Sequence, residues 1–181
     1  TALMVGLGKG AGRHILIKDA FALENLCKVD TVVLDKTGTL TEGVPVVTDS
    51  CWLSESNVCF LDILYTAELK SEHPLASAII RWLEDSGAST CEAGNFESLT
   101  GRGIRLEVEG VTYWVGSLGL LELFGAQIPE KTSEQIAGWQ ENGQSVVYYG
   151  KGNELLAALA ISDRIKPTSA AAVKELTGMG I

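Results

Sequence analysis

Basic residues are scarce. Fourteen Lys and Arg stand against 23 Asp and Glu, a formal net charge of −9, so the bulk of the surface repels nucleic acid and anionic lipid, and no nucleic-acid partner is expected. Long apolar runs are missing as well. No stretch approaches the ~18 residues that cross a bilayer, and nothing resembles a secretory leader, so this stretch of chain is expected to be soluble by itself. The four cysteines, Cys27, Cys51, Cys59 and Cys91, form no C-x-x-C pair; that excludes the usual thiolate metal and redox motifs and leaves reduced cytosolic thiols. Internal repeats and low-complexity tracts are also absent. What is present is an ordinary globular composition: 181 residues, 46% hydrophobic and 20% charged. This is enough for one good core or two small ones, and it rules out intrinsic disorder.

The charge is unevenly placed. Residues 1–18 carry Lys9, Arg13 and Lys18 and no acid, a surface unlike the rest. Glycines at 6, 8, 10 and 12 suggest a phosphate loop, but no strand precedes them and no G-K-[ST] follows, so a close-packed helix end is the stronger reading. Ile15-Leu16-Ile17 predicts a short strand, and Asp19 a cap for a helix through Leu23 and Leu26. Val29–Leu34 is a β-branched run that predicts a buried parallel strand ending at Asp35-Lys36-Thr37-Gly38-Thr39, the end of a strand at which open α/β sheets bind ligands.

Pro45 and the residues to Ser54 read as a connection into a different kind of structure. A helix through Val58, Leu61, Leu64, Tyr65 and Leu69 follows, then a second one with Ser71 as N-cap, Pro74 in its first turn and Leu75, Ile79, Trp82 and Leu83 on one face up to Gly87. From Ile104 the period changes to two, predicting a hairpin with its turn at Gly110. Helices over Ser117–Phe124 and Pro129–Glu141, strands over Ser145–Tyr149 and Leu155–Ile161, and a helix after Pro167 complete the pattern. A strand-and-helix domain interrupted by helices beside an antiparallel sheet is the expected organisation.

Asp35 is the candidate centre. A carboxylate at a strand end, backed by threonine hydroxyls and the N–H groups of a glycine turn, can act as a nucleophile toward phosphorus, with Mg²⁺ bringing the two anions together through a few oxygen ligands. Four such residues are equally at home in a capped turn. In aspartate-nucleophile phosphatases a second Asp two residues on serves as acid and base. Here that residue is Thr37, so a phosphoenzyme formed at Asp35 is expected to persist.

The string Asp35-Lys36-Thr37-Gly38-Thr39-Leu40-Thr41-Glu42 resembles the phosphorylation signature of P-type ATPases, and Ser71-Glu72-His73-Pro74-Leu75 resembles the SEHPL motif of their heavy-metal (type IB) branch. The resemblance implies that His73 contacts the adenine of ATP and that Glu68, five residues before it, orients the base. A lone histidine at a helix start is more often simply hydrogen-bonded there, although a neutral imidazole suits an adenine face. Thr100-Gly101-Arg102-Gly103-Ile104 is similar to the family's G-x-G loop, its glycines letting the backbone approach the nucleotide. Gly116 of Trp114-Val115-Gly116-Ser117 matches a pocket glycine, with Ser117 departing from the usual Asn. Asp163-Arg164-Ile165-Lys166-Pro167 resembles the D-x-x-[RK]-P hinge motif; whether Asp163 serves the phosphate or orders the hinge stays open. The string from Thr1 to Ala11 is similar to the stretch after the C-P-C transmembrane motif of copper and silver pumps.

The resemblance implies a partial haloacid dehalogenase-like phosphorylation domain (α/β, Rossmannoid) interrupted by an α+β nucleotide-binding domain. The expected segments are 1–14, membrane-proximal; 15–45, phosphorylation domain, first part; 46–157, nucleotide-binding domain; and 158–181, phosphorylation domain, second part. ATP and Mg²⁺ are the implied ligands. ATP is expected between Glu68, His73, Gly101, Gly103 and Gly116; it would phosphorylate Asp35, with Lys36, Thr37 and Thr39 holding the phosphate and Asp35 and Thr37 the metal. The implied partners are the transmembrane and actuator domains of the same pump, at the cytoplasmic face of a membrane, and a transported ion, Cu(I), bound elsewhere. T-G-D and G-D-G-x-N-D motifs do not occur, so full turnover is not expected of this stretch alone. Zinc or cadmium transport, a soluble haloacid dehalogenase-type phosphatase and a nucleotide-sensing module with an inert aspartate turn are the alternatives.

Overall fold

The computed structural model describes residues 2–54 and 58–181; Thr1 and residues 55–57, which belong to the expected segments 1–14 and 46–157, lie outside them. The chain divides into two compact units, one over Thr41–Arg164 and one over Thr1–Leu40 with Ile165–Ile181.

The larger unit is built on a six-stranded sheet of order β1-β6-β5-β4-β3-β2. Its strands are β1 (Thr41–Trp52), β2 (Gly94–Leu99), β3 (Gly103–Val108), β4 (Val111–Gly116), β5 (Ser145–Lys151) and β6 (Glu154–Ile165). From β2 to β6 every neighbour is antiparallel. The expected hairpin is present: Ile104 faces Val115 and Val108 faces Val111 across the Gly110 turn. Helices α3 (Val58–Leu69) and α4 (Ala76–Asp85) cover one face, α5 (Leu118–Leu123) and α6 (Glu130–Glu141) the other. Alternation along the strands feeds two cores. Tyr113, Val115, Tyr149, Leu159 and Ile161 join Ile63, Leu64, Ile79 and Leu83 on the α3–α4 side. Trp114, Tyr148, Ala158 and Ala160 join Leu120, Ile136 and Trp139 on the other. Because β6 is covered on both faces, its run Leu155–Ile161 is apolar throughout.

Residues 41–52 form a twelve-residue strand, not the connection that Pro45 suggested. β1 is an edge strand, where alternate backbone N–H groups face away from the sheet and proline is tolerated. Strand β2 carries no period-two signature and was not anticipated. Ser71 is not a helix N-cap: α4 begins at Ala76, with Leu75 in the cap position and Pro74 in the turn before it.

In the smaller unit, α1 (Ala2–Ala11) and α2 (Ala20–Leu26) pack together. A side chain at Gly6 would meet Leu23 at 3.0 Å, so the glycine-rich segment is a helix closely approached by its neighbour and not a phosphate loop. Asp19 caps α2 by accepting from the Ala22 N–H at 2.7 Å. Neither Ile15–Ile17 nor Val29–Leu34 is a strand. A β-branched run becomes one only when a ladder partner takes up its backbone groups, and the described residues supply none; Val33 is 93% exposed. Helix α7 (Ser169–Gly178) follows Pro167 as expected.

Candidate functional site

Two groups of predicted residues assemble, one in each unit. In the larger unit a cavity of about 490 Å³ opens between the α3–α4 wall and the ends of β3, β4 and β5. Its sides are apolar, from Leu75, Ile79, Ile104, Val115 and Val147, and its polar groups come from Glu68, the 71–73, 98–103 and 116–117 segments and Ser145. Glu68, Gly101, Gly103 and Gly116, together with His73, all line it.

Glu68 stands in the last turn of α3 and is 4% exposed. Burial pushes its carboxyl from the ordinary 4.5 up to about 7, against a hydrogen bond with Ser71 that favours the charged form. His73 is exposed on the irregular segment between the helices. The Ser71 hydroxyl accepts from the His73 N–H at 3.3 Å, and His73 Nδ1 accepts from the Leu75 N–H at 3.2 Å. This fits the late start of the helix: the imidazole takes the Leu75 N–H that a helix capped at Ser71 would give to the Ser71 carbonyl. It also fixes the tautomer. With Nδ1 accepting, a neutral ring carries its proton on Nε2.

The glycines answer mainly to the protein's own backbone. Gly103 pairs with Gly116; a Cβ on Gly103 would fall 2.1 Å from the Val115 carbonyl, and one on Gly116 2.1 Å from that of Arg102. The two strands approach too closely for any side chain, so the protein's own backbone requires glycine at both positions. Gly101 differs: a Cβ there would meet nothing within 4 Å, and the constraint is its φ of +71°. The Arg102 N–H closes this turn on the Leu99 carbonyl at 2.9 Å. Ser117 donates its N–H to the Arg102 carbonyl at 2.7 Å, and its hydroxyl makes no capping bond to α5.

In the smaller unit Asp35, Lys36, Thr37 and Thr39 are exposed on one turn. Thr37 (φ −78°, ψ 120°) and Gly38 (φ 76°, ψ −14°) have the angles of a type II turn, which needs a residue such as glycine at its third position. Lys166 donates from Nζ to the Gly38 carbonyl at 2.6 Å and from its backbone to Leu40 at 2.9 Å, and Ser169 Oγ donates to the same Leu40 carbonyl at 2.7 Å. The turn is therefore held from the segment leading into α7. Nothing in a motif spacing identified Ser169 as a contributor, and the lining residues 145–147 of β5 needed the strand order to be known.

Asp163 belongs to the larger unit, where it organises the start of β1. Its carboxylate accepts from Thr41 Oγ1, from the Gly43 N–H at 2.9 and 3.1 Å and from the Val44 N–H at 3.1 Å. Among the described residues no group of three or more His, Cys, Asp or Glu is placed to hold a metal ion, and no helix is long and apolar enough to cross a membrane.

A family profile described as a haloacid dehalogenase-like hydrolase matches residues 29–181. Similar curated proteins include a copper-transporting P-type ATPase of Rhizobium leguminosarum bv. viciae, 38% identical over 99% of this chain and 21% of that protein. A probable copper-transporting ATPase of Synechococcus elongatus is 38% identical over 100% of this chain and 24% of its own. The chain thus spans between a fifth and a quarter of these relatives' length. Among solved structures, a zinc-transporting PIB-type ATPase in its E2.Pi state superposes with a TM-score of 0.82, 31% identical over 99% of this chain and 29% of that one.

Proposed function

Since the chain belongs to the haloacid dehalogenase-like hydrolase family and resembles heavy-metal P-type ATPases along its length, we propose that it is the ATP-binding and aspartyl-phosphorylation region of a Cu(I)-translocating pump. The observation that carries the reading is the convergence of Glu68, His73 and the Gly101–Gly103 loop on one largely apolar cavity of about 490 Å³, a size and character suited to a nucleotide. The aliphatic walls take the faces of the base. His73 offers a donor from Nε2 at the mouth. The buried Glu68 carboxyl, with its proton held near neutral pH, can accept from an exocyclic amine or donate to a ring nitrogen.

Asp35 is the phosphoryl acceptor in this reading. One of its carboxylate oxygens bonds to the γ-phosphorus, the bond from that phosphorus to the β,γ-bridging oxygen breaks, and ADP leaves with the electron pair. Lys36, the Thr37 and Thr39 hydroxyls and the N–H groups of the Gly38 turn neutralise and hold the transferred oxygens; positioning and charge account for most of phosphoryl transfer. Thr37 cannot act as a base toward water, so the acyl phosphate lasts long enough to drive another process. Asp35 and the Thr37 carbonyl supply two oxygen donors, one of them a carboxylate, and among the described residues no cluster of three His, Cys, Asp or Glu surrounds them; so small a set fits a Mg²⁺ ion arriving with the nucleotide's phosphates. When bound, the ion offsets charge between carboxylate and phosphate.

The transmembrane and actuator parts of the same protein, and a cytoplasmic position for this region, complete the proposal. Copper is favoured because the two relatives at 38% identity are a copper-transporting and a probable copper-transporting ATPase; the zinc-transporting structure marks the second substrate class. The test is phosphate labelling of the full-length protein from γ-labelled ATP. An acid-stable label that is stimulated by Cu(I) and absent in Asp35→Asn is the expected result. Label that persists in Asp35→Asn refutes the nucleophile, and stimulation by Zn²⁺ or Cd²⁺ in place of Cu(I) refutes the substrate.

A further inference from the structure

We infer that Arg102 is the cation that holds the phosphate chain in this cavity and makes it prefer a nucleoside triphosphate to the bare nucleoside. The inference rests on the nucleotide reading of the cavity and adds a specificity-determining residue to it. A triphosphate brings several negative charges to a chain whose own net charge is −9, and two carboxylates, Glu68 and Glu72, already line the cavity. Arg102 is the one arginine or lysine among the described residues that line it.

Its side chain is also uncommitted. Arg105, three residues on, is paired with Glu97, its Nε at 2.8 Å, and Arg81 donates to the Pro45 carbonyl at 2.9 Å. The exposed Arg102 guanidinium has neither an ion pair nor a hydrogen bond among the described residues. Its root, by contrast, is fixed at both ends. The N–H is bound to Leu99 at 2.9 Å and the carbonyl to Ser117 at 2.7 Å, and that carbonyl sits against Gly116, where a Cβ would come within 2.1 Å. A long side chain on a rigid base, with the Thr100 and Ser117 hydroxyls in the same lining, is suited to present a planar fork of donors to phosphate oxygens. In this account the glycines at 101, 103 and 116 act indirectly, by fixing where Arg102 starts.

The experiment is calorimetric titration of the chain, and of Arg102→Gln and Arg102→Lys, with ATP and with adenosine at low ionic strength. Arg102→Gln should weaken ATP by about tenfold, roughly 1.4 kcal/mol. Adenosine affinity should stay within about twofold and the melting temperature unchanged, since the guanidinium has no protein partner to lose. Arg102→Lys should recover part of the ATP affinity, and the ATP effect should shrink as salt rises. Equal weakening of ATP and adenosine, or weakening of neither, overturns the assignment while leaving the nucleotide site standing. A folded wild-type chain that binds neither ligand removes the nucleotide reading, and the role of Arg102 with it.

Discussion

Replacing Glu68 with glutamine should make the larger unit more stable at alkaline pH and leave it nearly unchanged in acid. The carboxyl is buried at the end of α3 and burial lifts it from 4.5 to about 7. Below pH 4.5 it is protonated in both the folded and unfolded states, and the folded state bears no penalty. Between 4.5 and about 7 the folded chain binds the extra proton, so stability falls as pH rises; above about 7 the folded state carries the full cost of a buried charge. A displacement from 4.5 to about 7 corresponds to about 3 kcal/mol. Glutamine has nearly the same shape and cannot ionise. All four tryptophans, Trp52, Trp82, Trp114 and Trp139, lie in the larger unit, so urea unfolding followed by tryptophan emission reports on that unit alone. Measured at about pH 5 and about pH 8, the stability difference between Glu68→Gln and wild type should grow by one to about 3 kcal/mol in favour of the variant. A difference that is the same at both pH values would refute the argument, because a carboxyl already ionised at pH 5, or one already relieved by solvent, gives parallel curves.

Two further outcomes follow from the geometry. Gly103→Ala should destabilise the larger unit by about 2–4 kcal/mol, combining the clash with the Val115 carbonyl at 2.1 Å and a φ of +145°, whereas Gly101→Ala, strained only by its φ of +71°, should cost about 1 kcal/mol; urea unfolding of the two variants checks the order. Asp163→Ala removes the acceptor shared by Thr41, Gly43 and Val44 and should lower stability by about 1–3 kcal/mol, with amide exchange accelerating at Gly43 and Val44; unchanged exchange there would show that water replaces the carboxylate at no cost.

Periodicity was enough to reveal α4, α6 and strand β3, because each buries one face and exposes the other; α3 and β4 were found as apolar runs, although α3 is largely covered and β4 buries Trp114 on one face and Tyr113 and Val115 on the other. It failed where a local signal was outweighed by position in the sheet. Pro45 argues against a strand, yet β1 lies at an edge and tolerates it. Strand β2 offers only Phe96 and Leu99 as half-buried apolar residues, too few to show an alternation. At Ser71 a sound capping residue lost to a competitor invisible in one dimension, the Nδ1 of His73. Val29–Leu34 has strand composition, but a strand is a property of two segments, and composition describes one. The candidate site was legible as strings of residues, Asp35–Glu42 and Ser71–Leu75, through resemblance and not through spacing. That Glu68 shares a cavity with the Gly101–Gly103 loop and β5 could not be read from periods or caps, since α3, β3 and β5 meet only once the sheet order is set. The same ignorance of strand approach hid the backbone contact that already requires glycine at 103 and 116.

Calorimetric titration of ATP into the chain and into His73→Asn tests the central assignment most directly. Asparagine can keep the acceptor that the Leu75 N–H uses while removing the far side of the ring, so the segment before α4 is preserved and only the proposed contact to the base is lost. The account predicts that wild type binds ATP and that His73→Asn, equally folded, binds it about tenfold more weakly, roughly 1.4 kcal/mol. A folded wild-type chain that binds no ATP, or a variant that binds it as tightly as wild type, would contradict the placement of the base against His73 and Glu68.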